Sequence, residues 1–249
     1  MKHLKILSLM AVTTSVWVVP QITLAESSYE QELKQGCAKL KQYAKLGKQY
    51  YDQKQYTQAL SQFKNQAAWS HFCQLNADES GMKISDREIE IANNNVGLTY
   101  AKLAKPLWAR AWFLRNPDSK MSQFNLSQLP PIKTSSALTG TYVSPNGFGQ
   151  WDTITVKKQN NSYQIEFEGY YFGLRGLIYG PNLGSFETQM PLQQKKAVYR
   201  YEDCRIDLVF KTDSKQGQQI VVDEQQNTSG CGFGHNVSAS GTYMKVESE

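Results

Sequence analysis

The side chains best suited to bond-making chemistry gather in one short segment. Cys231-Gly232-Phe233-Gly234-His235-Asn236-Val237 sets a thiol near an imidazole, with glycines that let a backbone approach another group closely. A free thiol beside histidine would make a nucleophilic pair. Cys204 offers the same sulfur a different use, a disulfide, and that use is favoured because exported thiols oxidise. The segment then reads as an anchored turn with Phe233 packed inward. His71, between Trp69 and Phe72, reads as a packing residue at a helix end. With His3 in a predicted leader, only His71 and His235 remain, too few for a histidine-rich zinc site, and any Ser-His-Asp triad must use one of them. Glu166 and Glu168 fall two apart on a predicted strand and share a face, whereas glycosidase carboxylates oppose each other across a cleft. They read as solvated, and Glu202-Asp203 as a turn. No glycine pattern for phosphate or dinucleotide sits between a strand and a helix. The expectation is a protein that is not an enzyme and uses no cofactor or metal.

The elements that position these groups begin with a helical pair centred on residues 43–63. Leu33, Cys37, Leu40, Ala44, Gly47 and Tyr50 recur at steps of three and four, one face of an amphipathic helix, with Lys39, Lys41, Lys45 and Lys48 largely on the wet side. After a break at residues 52–55, Tyr56, Ala59, Leu60, Phe63 and Ala67 continue at helical steps. Gly47 and Ala59 are small where a partner backbone comes close, and Tyr50 and Phe63 are large where a gap needs filling. A second copy runs Val96, Gly97, Tyr100, Ala109, Phe113. Ser85 and Glu88 form a predicted capping box, Lys105-Pro106 starts a helix that ends at Asn116-Pro117, and Met121, Phe124 and Leu126 suggest a short closing helix.

On Tyr43, Leu46, Gly47, Tyr50, Ala59 and Phe63, and on the second copy, the chain resembles a tetratricopeptide repeat. Asn93 stands where that pattern carries an aromatic. The glycines lie farther apart than the usual period of about 34 residues, which places an insertion at residues 74–85. The resemblance implies stacked helical hairpins with a concave binding face.

Residues 1–25 read as a signal peptide: Lys2 and Lys5 precede an apolar run at 6–19, and Thr23-Leu24-Ala25 offers small residues for cleavage. The run is short of the roughly 20 residues a bilayer needs, and no later run is long enough, so no stable membrane span is expected after cleavage. Lys+Arg 27 against Asp+Glu 22 falls to 25 − 22, or +3, once Lys2 and Lys5 leave, too little to argue for nucleic acid. Four cysteines fit an oxidising, periplasmic or secreted setting. They allow three pairings; an antiparallel helical pair brings Cys37 to Cys73, leaving Cys204 to Cys231, and a metal site lacks its close Cys-x-x-Cys.

Residues 26–126 are therefore expected to form the helical domain, 127–137 a linker marked by Pro130-Pro131, and 138–249 an antiparallel β domain. There the period shifts to alternation, with a hairpin from residues 153–156 and 163–167 across a turn at 159–161. Further strands are expected at 138–144, 186–190, 197–201, 206–211, 219–223 and 238–246. Gly140-Thr141-Tyr142 is echoed by Gly241-Thr242-Tyr243, as if the first and last strands meet to close a barrel, with a two-sheet sandwich as the alternative. The fold class is thus α+β.

This architecture, with its Cys-Gly-Phe-Gly ending, resembles small exported inhibitors and immunity-type proteins. The resemblance implies a protein partner, such as an envelope-targeted toxin or hydrolase, held by occlusion. Tyr50, Tyr51, Trp69, Trp108 and Trp112 are the candidate contacts. An alternative use is a small ligand or envelope polymer in a β-domain cavity, with Tyr170, Tyr171, Phe172 and Tyr179 at its mouth.

Overall fold

The computed structural model describes residues 22–132, 136–225 and 231–248, with side chains from residue 28 onward. The predicted leader lies outside these residues up to residue 21. Seven helices come first among the described residues: α1 (Ile22–Ala38), α2 (Leu40–Asp52), α3 (Tyr56–Leu75), α4 (Ala77–Ser80), α5 (Asp86–Lys102), α6 (Pro106–Phe113) and α7 (Lys120–Ser127). Eight strands follow: β1 (Gly140–Pro145), β2 (Trp151–Gln159), β3 (Ser162–Tyr171), β4 (Asn182–Pro191), β5 (Lys196–Tyr201), β6 (Cys204–Asp213), β7 (Gly217–Gln225) and β8 (Gly241–Glu247). A short helix α8 (Gly176–Tyr179) lies between β3 and β4. No helix among the described residues is long and apolar enough to cross a membrane.

Two helical hairpins repeat the same packing at an offset of 50 residues. In α2/α3 a Cβ built on Gly47 would stand 2.5 Å from the Phe63 ring; in α5/α6 a Cβ on Gly97 would stand 2.4 Å from Phe113. Both turns use a left-handed residue, Lys54 at φ 60° and Ala104 at φ 56°. Both close with matching bonds, Gln55 N–H to Tyr50 O at 2.8 Å and Lys105 N–H to Tyr100 O at 3.0 Å. Ala59, Phe63, Val96, Tyr100, Ala109 and Phe113 share one core. Ser85 caps α5 with the predicted box: its side chain accepts from Glu88 N–H while Glu88 accepts from Ser85 N–H. Pro106 opens α6 and α7 stands where the closing helix was expected.

One face read as continuous is broken. Leu33 to Tyr50 belongs to two helices, α1 and α2, separated at Lys39. The Trp69 ring occupies the space beside Gly36, where a Cβ would fall 2.0 Å away, so the end of α1 packs closely on the C-terminal part of α3. There the Cys37–Cys73 disulfide fastens it, with Cys73 inside α3. In the chain-entropy account, closing a loop of 36 residues' separation contributes about 4 kcal/mol. The second disulfide joins Cys204 to Cys231.

The strands form one antiparallel sheet in the order β4-β3-β2-β1-β8-β7-β6-β5, curled until its two ends nearly meet. This is a barrel-like sheet, not a two-sheet sandwich. β1 and β8 do pair, as the Gly-Thr-Tyr echo suggested, but at the middle of the sheet instead of at its closure. The seam lies between β4 and β5, where Thr188 Oγ1 donates to Val198 O at 3.0 Å. The reason for the central placement is burial: Tyr142 and Tyr243 point into the barrel, while Val143, Met244 and Val246 point out against Ala111 and Leu114. Strands covered on both faces belong in the middle of a sheet.

Where the seam flares, the Cys231–Val237 segment fills it. Gly234 N–H donates to Leu183 O at 2.8 Å, Asn182 Nδ2 donates to His235 O at 2.8 Å, and Phe233 and Val237 pack on Gly184. Phe233 reaches the core, as expected, with its ring 5.6 Å from that of Phe167.

Gly47→Ala is expected to lower stability by about 1–3 kcal/mol through overpacking against Phe63, overriding the gain of about 1 kcal/mol that alanine brings to a helix interior. Adding Phe63→Leu should recover part of the loss. Urea unfolding of the single and double variants measures both.

Candidate functional site

The hairpins leave a groove between α2 and α5, floored by α3. Ala44, Lys48 and Tyr51 line it from α2, Ile91, Asn95 and Leu98 from α5, and Phe63 and Gln66 from the floor. The α2 and α5 residues recur at steps of three and four, so each set is one helical face. The main hollow holds about 450 Å³, and a second of about 170 Å³ continues it past Ala44, Gln66 and Ile91 toward Met82 and Ile84.

Its charges are largely engaged with one another. Lys48 Nζ lies 2.5 Å from Asp52 Oδ2. Glu88 at the far end accepts from the Ser85 backbone N–H at 2.8 Å and hydroxyl at 2.7 Å, and these bonds hold its carboxyl below the usual range. The centre is amide and apolar. Gln66 Oε1 is buried on the floor with no hydrogen-bond partner among the described residues.

Of the five aromatic candidates, Tyr51 lines this groove, and burial there raises its phenol pKa, with Tyr56 and Asp52 adding to the effect. The other four side chains pack within the molecule. Tyr50 packs between the hairpins. Trp69 packs beside Phe72 against Gly36. Trp108 stacks on Tyr100 at 5.4 Å and donates to Glu247 Oε1 at 2.9 Å. Trp112, fully buried, meets the Trp151 ring edge-on at 5.4 Å. Ile91, Asn95, Leu98 and Gln66 are the groove residues that sequence reasoning missed. For Ile91, Asn95 and Leu98 the signal was a second periodic face on α5, beside the one facing the core; Gln66, on α3, carried none.

The bond-making candidates are not brought together. All four cysteines are in disulfides, and His235 is exposed on the turn beside β4. Glu166 pairs with Lys157 at 3.0 Å on the outer face of the sheet. The barrel interior is filled by Tyr142, Ile154, Phe167, Phe186, Leu208, Phe210 and their neighbours. Of the aromatics assigned to a barrel mouth, Phe172 packs on Phe148 and Tyr179 meets Tyr29, while Tyr170 lines a hollow with Glu168, Leu183 and Gly232 at the end of the sheet. No group of three His, Cys, Asp or Glu among the described residues is placed to hold a metal ion.

His71 lies where the helices meet the sheet. Burial and the Arg115 guanidinium lower its pKa to about 4, while Asp86 pulls the other way. Arg115 bonds to the carbonyls of Asn146 and Gln150, the latter at 2.9 Å, and lies over the Trp112 and Trp151 rings. Burial pulls the guanidinium down to about 10, which still leaves it charged at neutral pH.

No protein-family model matches the chain, and no curated protein or solved structure matches it.

The His71 environment predicts acid sensitivity. The unfolded chain takes up a proton near pH 6.5, the folded chain near 4, so stability falls as pH drops through that window and recovers as it rises. The full loss approaches about 3 kcal/mol. Chemical denaturation across this range should show the slope in the parent and a flatter profile in His71→Leu.

Proposed function

We propose that this protein is an exported binding module that holds a segment of a partner protein in the groove of α2, α3 and α5, and acts by occlusion. Gln66 is the observation that carries the reading. A buried amide oxygen without a donor is costly, and because the Gln66 side chain lines the groove, turning that amide toward the groove lets it accept an N–H from an incoming polypeptide. Phe63, Ile91 and Leu98 supply apolar surface for alternate side chains, and Asn95 offers a second amide. A peptide segment has both kinds of group.

The repeated hairpins, with Gly47 under Phe63 and Gly97 under Phe113, support a tetratricopeptide-like reading of this face. Two disulfides fit an oxidising, extracytoplasmic environment. With the leader read from the sequence, this supports a periplasmic or secreted protein of inhibitor, immunity or envelope-scaffold type. The filled barrel interior favours the groove over a ligand held inside the sheet.

A photo-crosslinking side chain placed at Leu98 in cells should form a discrete protein adduct, and the same group at Phe124 on α7 should not. Gln66→Leu should weaken that adduct about tenfold, the effect of losing roughly 1.4 kcal/mol, while the Leu98 variant keeps the parent's melting temperature. Equal labelling from both positions would overturn the assignment.

A further inference from the structure

We propose that the outer face of the sheet on either side of the β4–β5 seam is a self-association surface, on which a second copy of this chain docks about a two-fold axis running along the seam. The strand register shows that the side chains involved share one face. Ile165, Phe167, Phe186 and Met190 fill the barrel from β3 and β4, so the alternate residues Glu166, Glu168 and Glu187 point outward. Ala197, Ile206 and Leu208 fill it from β5 and β6, which turns Lys196, Val198, Arg200 and Arg205 outward. Glu168, Glu187, Lys196, Val198 and Arg200 are all exposed.

The two halves of this face carry opposite charge. On β3 and β4 stand Glu166, Glu168 and Glu187, of which Glu166 is answered by Lys157 at 3.0 Å. On β5 and β6 stand Lys196, Arg200 and Arg205, of which Arg205 is answered by Asp207 at 2.7 Å. Each half also sets like charges directly opposite each other, Glu166 across from Glu187 and Arg200 across from Arg205, an arrangement that costs stability in an isolated sheet. The cations act together: the Arg205 bonds hold the Asp207 carboxyl below its usual range, and Arg200 and Lys196 add to that effect. Among the described residues no ion pair crosses the seam, and Glu187 accepts from Gln164 Nε2 at 3.1 Å, on the side away from it.

Charge complementarity selects the occupant. An anionic bilayer or polyanion is drawn to the β5–β6 half and repelled by the β3–β4 half beside it, and a basic partner meets the reverse. A second copy satisfies both halves at once, because rotation about the seam carries β5 and β6 of one copy over β4 and β3 of the other. Heights along the seam agree as well. Thr188 Oγ1 donates to Val198 O at 3.0 Å, which sets those two residues level. Glu187 lies one residue from Thr188 and Arg200 two from Val198, both away from the turn that joins β4 to β5, so they stand at nearly the same height. The axis keeps height and exchanges sides, which sets Arg200 of each copy against Glu187 of the other. Val198, 38% exposed, supplies apolar surface at the axis. The outer faces are convex, so the contact is small and the dimer weak and salt-sensitive. The surface shares no residue with the groove of α2, α3 and α5, and each copy in the pair keeps its own groove.

The test is sedimentation velocity of the exported protein at low and high salt, on the parent, Arg200→Glu, Glu187→Lys, and an equal mixture of the two variants. Each substitution relieves a like-charge pair within its own sheet, so both variants are expected to keep the parent's melting temperature. The expected result is a parent dimer that salt dissolves, association weakened about tenfold or more in either variant alone, and a heterodimer of at least parental strength in the mixture. There each contact again joins a cation to a carboxylate. A parent that stays monomeric at low salt, variants that associate as the parent does, or a mixture that stays monomeric overturns the proposal.

Discussion

The structure depends on the burial of β1 and β8 from both sides. Their inner faces give Tyr142 and Tyr243 to the barrel, and their outer faces give Val143, Met244 and Val246 to α6. A strand pair with two apolar faces has no stable place at an edge, so six further strands must flank it and a helical layer must cover it. The contacts around that layer follow. Trp108 reaches Glu247 at the end of β8, and Arg115 ties the end of α6 to the turn before β2. Phe148, left-handed at φ 52°, lays its ring edge-on to Phe72 at 5.1 Å. Helices and strands thus pack against each other along α6 and the turn before β2.

Much of the fold was legible because it was written in local chemistry. The Gly47 and Phe63 pairing, the Ser85 box, Pro106 and the alternation of residues 153–156 each act within a few turns or one hairpin. Both disulfides were legible for a related reason, since an antiparallel helical pair brings Cys37 back to Cys73. What escaped was anything set by distant covering. The echo of Gly140 and Gly241 correctly paired the first and last strands, but their central position depends on α6, whose partner surface no window of sequence reveals.

The same limit governed the site. Aromatic side chains are conspicuous in a sequence, and Trp69, Trp108 and Trp112 were natural choices for a recognition surface. In the fold their large faces are consumed by packing inside the molecule and where helices meet sheet. Tyr51 alone of the five lines the groove, beside Ile91, Asn95 and Leu98, which are individually unremarkable residues. Helix α5 carries two periodic stripes, and the stronger one, facing the core, masks the weaker one facing the groove.

The two hairpins superpose in chemistry at a fixed offset, and such modules ordinarily present a free end to which another can be added. Here α6 offers its outer side to β8, not to a third pair of helices. Helix α7 also packs on this second hairpin, where Asn94 Nδ2 donates to Ser122 Oγ at 3.0 Å, so a helix and a sheet together cover the side on which another hairpin would have to be added.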